Sequence, residues 1–523
     1  MPADLAIVIL AAGKGTRLKS ERPKVLHQAG GLPLIAHVLR VAQPLAQSGV
    51  KGSAGPSAPG AGVWVVVGHQ AEAVRRLAEP FGARLILQRP QLGAGHAVAR
   101  AATTLPRRIA QLLVLPGDAP LIRPDSLHAL LKRHCDSGSA ATVLTARLDN
   151  PQGYGRILRS ASGEVEAILE QGTLRPEQIG VREVNAGVYC FDRAKLTPLL
   201  GHLRRDNLHR EYYLTDVIAL FRRAGEAVSA YTTDDSDEIL GVNTPADLAH
   251  VDALLRRRKA EGLMSSGVIL YQPETQAIDP DVSLGPDTIV ERGVELRGAT
   301  RIGRRCYIGA FSSLVNASLA DDVTVKPHCL ILNSRLGAGV VVGPFAHLRD
   351  GADIRAGARI GNYVEVKKSV VREGAKALHL TYLGDATIGR KTNIGAGTIT
   401  CNYDGQAKHP TSIADNVFIG SGTELVAPVK VGKGAYVAAG STITDNVPAD
   451  ALAIARGRQV NKPGWARTRR QKLAAAKARK EEPGVSVRYA SSVKSRGTAR
   501  LAPSPVEGRR RRRRHPRRKS PRR

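Results

Sequence analysis

The chain has 523 residues, 77 of them Lys or Arg and 46 Asp or Glu, for a formal net charge of +31. That length exceeds one ordinary domain of about 150 residues, and no run approaches the ~18 consecutive apolar residues of a membrane span. The opening MPADLAIVIL lacks the cationic start and apolar length of a secretory signal, and five scattered cysteines without a CxxC pair disfavour zinc and disulfides and suit a reduced, cytoplasmic protein.

In chain order, residues 5–10 (LAIVIL) form a continuous apolar run, which suits a strand buried on both faces of a sheet. Further runs at 63–69, 85–88, 112–118 and 141–148 alternate with helical spacing, as at 34–42 and 71–78. This alternation predicts a mostly parallel, doubly wound α/β domain with ligands at the carboxyl ends of its strands. The loop after the first run, AAGKGTRLKSERPKVL, falls at such an end. Gly13 and Gly15 permit close backbone approach, and Lys14, Arg17 and Lys24 surround the same turn with positive charge. The loop matches neither GxxxxGK[ST] nor GxGxxG, so on spacing alone a structural turn is as good a reading as a phosphate site. Residues 51–62 read as a flexible insertion. Residues 244–264 read as a linking helix, with Thr244 as cap and Pro245 in the first turn.

From Ile278 onward aliphatic residues recur every six positions: Leu284, Val290, Leu296, Ile302, Ile308 and Leu314. After one-residue slips the series resumes through Leu319, Leu336, Ile360 and Val366, and a last run extends from Ile413 to Ile443. Period six fits neither a helix face nor simple strand alternation. It fits coils of three short strands stacked into a parallel β-helix. Two stretches, 367–387 and 400–412, break the period and are expected to be loops that carry function.

Most of the charge excess lies late in the chain. Residues 465–523 hold 22 Lys+Arg against 3 Asp+Glu, including six consecutive arginines from Arg509 to Arg514. Such a block repels itself and is expected to be a disordered basic tail over 466–523. A solvated, non-catalytic appendage is the preferred reading, and contact with nucleic acid or an anionic surface is the lesser one.

LAAGKGTRL, KVL, QLGAGHA, PGD, NPQGYGRI, EVNAGVY and GVN together resemble the sugar-1-phosphate nucleotidyltransferases. HLTYLGDA and NIGAGTITCNYDG resemble the hexapeptide-repeat acyltransferases. In this order the two are similar to the bacterial bifunctional N-acetylglucosamine-1-phosphate uridylyltransferase/glucosamine-1-phosphate N-acetyltransferase family, over about residues 5 to 465. The resemblance implies a nucleotidyltransferase domain at 1–243, a linker helix at 244–264 and a left-handed β-helix acetyltransferase domain at 265–465. It also implies a homotrimer, a cytoplasmic location and a role in precursor supply for peptidoglycan and lipopolysaccharide.

For uridylyl transfer the resemblance places UTP on Ala11, Ala12 and Gly13, with Arg17 and Lys24 as phosphate clamps, Gln88 and Gly93 at the uracil and Ala94 at a further contact to the nucleotide. Asp118 and Asn243 would hold Mg2+, with Asn243 also in the substrate site, and Gly155, Glu170 and Asn185 would hold N-acetylglucosamine-1-phosphate. A phosphate nucleophile needs no general base, so alignment and charge neutralisation suffice. Two positions depart from the family: Ala94 stands where Thr is usual and Pro116 where Tyr is usual.

For acetyl transfer a neutral amine must attack the thioester of acetyl-CoA, yet the amine is mostly protonated near neutral pH, so a general base is useful, and His379 matches the family's base. Arg349, Lys367, Tyr382 and Asn393 match the glucosamine-1-phosphate site, with Glu365 a neighbouring acceptor. Ala396, Asn402, Tyr403, Ser421, Ala439 and Arg456 match the acetyl-CoA site. The alternatives are a single-activity nucleotidyltransferase whose coil only oligomerises, and a nucleic-acid-binding scaffold run by the basic tail. The His379, Tyr382 and CNYDG cluster argues against a purely structural coil.

Overall fold

The computed structural model describes residues 4–13, 15–48, 62–207 and 209–481. The insertion expected at 51–62, Gly62 apart, and residues 482–523 lie outside the described residues, as does Lys14.

Strands and helices alternate along the first part: β1 (Leu5–Ala11), α1 (Leu34–Ser48), β2 (Gly62–Val67), α2 (Ala71–Ala78), β3 (Arg84–Leu87), α3 (Ala94–Thr104), β4 (Gln111–Pro116) and α4 (Pro124–Ser137). They continue with β5 (Ala141–Arg147), the hairpin β6 (Arg156–Arg159) and β7 (Val165–Leu169), then β8 (Glu183–Asp192), α5 (Arg193–Leu200), α6 (Asp216–Arg223) and β9 (Val228–Thr233). The sheet order is β9-β5-β8-β4-β1-β2-β3, with the hairpin attached to β8. Side chains of β1 alternate between two cores. Leu5, Ile7 and Ile9 join α1, α2 and α4 on one face, and Ala6 and Val8 join α3 and α6 on the other. This two-sided burial accounts for the unbroken apolar run.

β1 pairs in parallel with β2 and β4, and β5 with β9. β8 is antiparallel to both β4 and β5. Because β8 runs backwards, its early residue Asn185 reaches the edge where β1 and β4 end. Gly117 N–H donates to the Leu10 carbonyl at 3.0 Å and Val242 N–H to the Asp118 carbonyl at 3.1 Å. These bonds draw the first loop, Asp118 and Asn243 to one spot.

Helix α7 (Pro245–Ser265) links the sheet to the coil. The Thr244 hydroxyl accepts from Asp247 N–H at 3.1 Å, and the Asp247 carboxylate accepts from the N–H groups of Thr244 and Asn243, both at 2.9 Å. The capping box therefore fixes Asn243 as well as the helix start. Further along, Lys259 Nζ donates to the carbonyls of Pro280 and Val282 at 2.9 and 2.7 Å. Arg40 grips Asp281 with two bonds of 2.9 and 2.7 Å, so α1 and α7 both hold the first coil.

The coil is a parallel β-helix of mostly very short strands, most of them paired with one 17 or 18 residues on, as in Ile289↔Tyr307 and Thr324↔Val341. The six-residue aliphatic series is its core. Val290, Leu296, Ile308, Leu314, Leu348 and Ile419 are wholly buried, while Leu284 at the first coil is half-buried. Residues 367–387 do not form the expected loop. The chain stays on the coil through two long paired strands, β10 (Arg359–Lys367) and β11 (Lys376–Gly384). The aliphatic series had shifted phase: Val371, Ala377 and Leu383 fill the core after a five-residue step from Val366, and another such step leads to Ile388. The second interruption does leave the coil, at residues 402–410, and the ladder resumes with Ala386↔Thr411.

A further helix, α8 (Trp465–Glu481), occupies the start of the expected disordered tail. The correction has a local cause. WARTRRQKLAAAKARKE is rich in Ala, Lys, Arg, Gln and Leu, the strongest helix formers, with no Gly or Pro.

Candidate functional sites

Two cavities lie side by side at the carboxyl edge of the sheet. The first, about 520 Å³, is lined by Ala12, Gly13, Arg17, Lys24, Gln88, Gly93, Ala94 and Asn243, among others. The second, about 430 Å³, is lined by Arg17, Pro116, Asp118, Gly155, Asn185, Asn243 and the 152–154 turn. Arg17 and Asn243 belong to both walls. Arg17 Nη2 and Lys24 Nζ each donate to Asn243 Oδ1 at 2.7 Å, and Lys24 also pairs with the Asp118 carboxylate. A carboxylate and a carboxamide oxygen thus converge on a single cationic point between the cavities. Hard oxygen donors of this kind, with room for water and phosphate oxygens, fit a divalent cation of the Mg2+ type.

Gln88, almost wholly buried, donates from Nε2 to the Gly93 carbonyl at 3.0 Å and bonds His96 Nδ1 at 3.1 Å. Burial, then Arg100, lowers the His96 pKa, which keeps its ring neutral and able to accept. Gly93 has φ +97, and a Cβ there would lie 2.8 Å from the Tyr212 carbonyl oxygen, so only glycine fits this turn into α3. Ala11 is buried in β1 behind the first cavity, whereas Ala12 lines it and accepts an amide N–H of Gln91.

In the second cavity Asn185 Nδ2 donates to the Tyr189 hydroxyl at 2.7 Å, and Asn185 Oδ1 accepts from Gly187 N–H at 3.0 Å. Glu170 lines neither cavity. Its carboxylate accepts from the Thr215 hydroxyl at 3.0 Å. Its neighbour Gln171 holds the cavity turn, accepting from Gly153 N–H at 3.1 Å and from Arg156 Nη2 at 2.9 Å. Arg156, about 1% exposed, also donates to the Tyr154 carbonyl, and its Nε has no partner.

On the coil, His379 is solvent-exposed and its Nδ1 lies 2.9 Å from Asn362 Oδ1, its partner one coil below. An amide oxygen only accepts, so Nδ1 donates its proton to Asn362, and Nε2 is the ring nitrogen that this bond leaves free. The register Ala377↔Ile394↔Ile419↔Val437 sets His379, Ala396, Ser421 and Ala439, each two residues on, in one column at a corner of the coil. Gly422 N–H donates to the Ala396 carbonyl at 2.7 Å, Gly440 N–H to that of Ser421 at 2.8 Å, and Arg456 Nη1 to that of Ala439 at 2.8 Å. Below His379 the same corner carries a ladder of stacked rings, Phe311, His328, Phe345 and Tyr363, at centroid spacings of 5.4, 5.0 and 5.2 Å. Above it the corner residues are Gly397, Gly422 and Gly440. This column, next to that of His379, thus changes from ringed, through the exposed Leu380, to bare.

Around the corner from His379, strand pairing sets Arg349 beside Lys367 and Glu365 beside Tyr382. The Arg349 guanidinium is held by Glu365 at 2.6 Å and Asp350 at 2.9 Å, and the bond to Glu365 raises its pKa. Asn393 stands on a different ladder, between Lys376 and Phe418. The 402–410 excursion is tied down by Asn402, whose amide donates to Asp385 at 2.5 Å. The Tyr403 hydroxyl donates to the Gly405 carbonyl at 2.6 Å. The excursion also delivers Lys408, which the sequence reading missed. Lys408 comes close to Lys367, and that like-charged neighbour pulls its ammonium pKa down. Two ammonium groups pressed together mark a place for a dianion. Only the folded excursion brings Lys408 back to Lys367, so spacing along the chain gives no sign of the pair.

The MobA-like NTP transferase domain family matches residues 7–202, and the bacterial transferase hexapeptide family, six repeats, matches residues 410–445. The bifunctional protein GlmU of Koribacter versatilis is 48% identical over 468 residues, which is 89% of this chain and 97% of that protein. The chain belongs to the GlmU family. Its similarity to GlmU of Pelobacter propionicus is 48% over 88% of the chain and 98% of the relative, and to GlmU of Streptococcus thermophilus 46% over 88% and 96%. A GlmU-family chain is a bifunctional transferase, and both halves of that description are matched by separate parts of this molecule.

Proposed function

We propose that the protein acetylates glucosamine-1-phosphate with acetyl-CoA. It then transfers UMP from UTP to N-acetylglucosamine-1-phosphate, giving UDP-N-acetylglucosamine and pyrophosphate for cell-envelope precursors. The observation that carries this reading is the pair of abutting cavities with Arg17 and Asn243 in their common wall.

The first cavity takes UTP and the second the sugar phosphate, with Asn185 and the 152–155 turn around the sugar. The sugar phosphate oxygen attacks the α-phosphorus of UTP and pyrophosphate leaves. Arg17 and Lys24 neutralise the charge that gathers between the two phosphates. Asp118 and Asn243 would hold Mg2+, which when bound supplies further charge neutralisation at the triphosphate.

On the coil, Lys367 and Lys408 take the phosphate of glucosamine-1-phosphate, with Tyr382 beside them. Arg349 is already paired with Glu365, so it acts at the edge of that site. Asn362 orients His379 so that Nε2 removes a proton from the amine as it attacks the thioester carbonyl. CoA leaves as thiolate and takes up a proton. The bare corner Gly397–Gly422–Gly440, with Ser421, Ala439 and Arg456, receives the extended CoA. The corner is open to solvent in one chain, which suits a site completed within a homotrimer. A cytoplasmic location follows from the substrates, and among the described residues no helix is long and apolar enough to cross a membrane.

The test supplies the purified chain with Mg2+, UTP, acetyl-CoA and glucosamine-1-phosphate and follows free CoA and pyrophosphate together. Release of both is expected. Pyrophosphate from N-acetylglucosamine-1-phosphate with no CoA from glucosamine-1-phosphate would leave a single-activity nucleotidyltransferase.

A further inference from the structure

Nearly every polar atom of Gln88 is engaged inside the protein. Its backbone N–H donates to the Val67 carbonyl at 2.8 Å, which fixes the residue at the end of β3. A carbonyl only accepts, so the side-chain group that faces the Gly93 carbonyl at 3.0 Å is the NH2. Its second hydrogen goes to His96 Nδ1 at 3.1 Å. That ring nitrogen therefore holds a lone pair, and the neutral ring carries its hydrogen on Nε2. Burial, with Arg100 and Arg205 nearby, disfavours the imidazolium, which could not accept. Gln88 lines the first cavity and is 2% exposed, and Oε1 is its one side-chain polar atom with no partner among the described residues. Held this way, the side chain can offer the cavity an acceptor and no donor.

We propose, resting on the reading of this cavity as the nucleotide site, that His96 is a positioning residue that sets its base preference by locking the Gln88 amide with Oε1 toward the base. An acceptor suits a ring nitrogen that carries hydrogen, as N3 of uracil does. It opposes the bare N3 of cytosine, lone pair against lone pair. A buried group left unpaired in this way rejects the wrong partner strongly. Two bonds hold the amide against the half-turn that would present NH2 instead. Gly93 supplies one, from a turn that only glycine fits. His96 supplies the other, and it is the one that a substitution can remove. Ala94, in the same cavity wall, has no side-chain donor or acceptor to share the selection.

Steady-state pyrophosphate release from UTP and from CTP, each with N-acetylglucosamine-1-phosphate, tests this in the full-length protein and in two variants. His96→Phe keeps a ring and removes the acceptor. His96→Asn sets Oδ1, an acceptor, where Nδ1 stands. In His96→Phe, KM for UTP is expected to rise about 3- to 10-fold, the contribution of one neutral hydrogen bond, with kcat within about twofold of the parent. The preference for UTP over CTP in kcat/KM is expected to fall about tenfold. His96→Asn is expected to stay within about twofold of the parent on both measures. CoA release from glucosamine-1-phosphate is expected to be unchanged in both variants. Should His96→Phe fail to fold, judged by circular dichroism, His96→Leu removes the acceptor with a smaller side chain and carries the same expectations. Parental KM and base preference in the variant without the acceptor overturn the proposal. A His96→Asn enzyme as impaired as that variant overturns it too, because the ring's shape would then matter and not its lone pair. So does a fall in kcat at constant KM. No pyrophosphate from UTP in the parent is a different failure: it removes the nucleotide-site reading itself, and this proposal with it.

Discussion

Asp247 does two things with one carboxylate: it closes the cap of α7 and holds the backbone of Asn243. Asp247→Ala is expected to cost about 1 kcal/mol, the usual worth of such a cap. It should also lower pyrophosphate release severalfold while CoA release stays near the parent value. Parallel assays of the two products check this, and an equal fall in both would mean general unfolding. His379→Ala is expected to cut CoA release by about 10² to 10⁴ and leave pyrophosphate release from N-acetylglucosamine-1-phosphate intact. The thiols divide by burial. Burial pushes the Cys329 pKa up to about 11, and Cys190 is raised by the same cause, whereas Cys135 is exposed. At pH 8 iodoacetamide is therefore expected to label Cys135 in the native protein and spare Cys190 and Cys329, as read by peptide mass spectrometry.

At the scale of elements, each coil is bound to the next by stacked aliphatic side chains and backbone bonds. Leu314→Ala is expected to cost about 2–5 kcal/mol as a core truncation, and Leu284→Ala distinctly less because Leu284 is only half-buried. The thermal midpoint of the coil reads the difference. Gly420→Ala would set a Cβ 2.4 Å from the Ala439 backbone nitrogen. The corner must then shift, and KM for acetyl-CoA is expected to rise more than kcat falls. The aliphatic period was legible because every sixth side chain must enter the core. Residues 367–387 were misread because two five-residue steps and the small Ala377 hid the same rule. Asn362 and Lys408 were not legible as partners of His379 and Lys367, since only the folded coil and its excursion join them. Glu170 shows the reverse limit: its match to a sugar-binding position was visible, yet its carboxylate is engaged by Thr215, and the cavity turn is held by Gln171 and Arg156. A helix over 465–481 was masked by net charge, though its local propensities favoured it.

For the whole molecule, the two halves are expected to respond differently to dilution. The nucleotide cavities are walled by one chain, whereas the His379 corner is open on one side. With the coil assembled in the proposed homotrimer, CoA release per chain is expected to fall as the protein is diluted to where the trimer comes apart, while pyrophosphate release per chain stays constant. Light scattering alongside both assays checks the pairing.

The 402–410 excursion has a consequence for how such an enzyme can change. The chain leaves after Cys401 and returns at Thr411, and the ladder takes up again with a spacing of 25 in Ile394↔Ile419 where its neighbour Ala377↔Ile394 has 17. The coil does not count the residues spent outside it. Lys408 and Tyr403 therefore sit on a cartridge that can be lengthened, shortened or exchanged while the scaffold stays in register. New acyl acceptors are reachable by altering nine residues, with the stacked aliphatic core left alone.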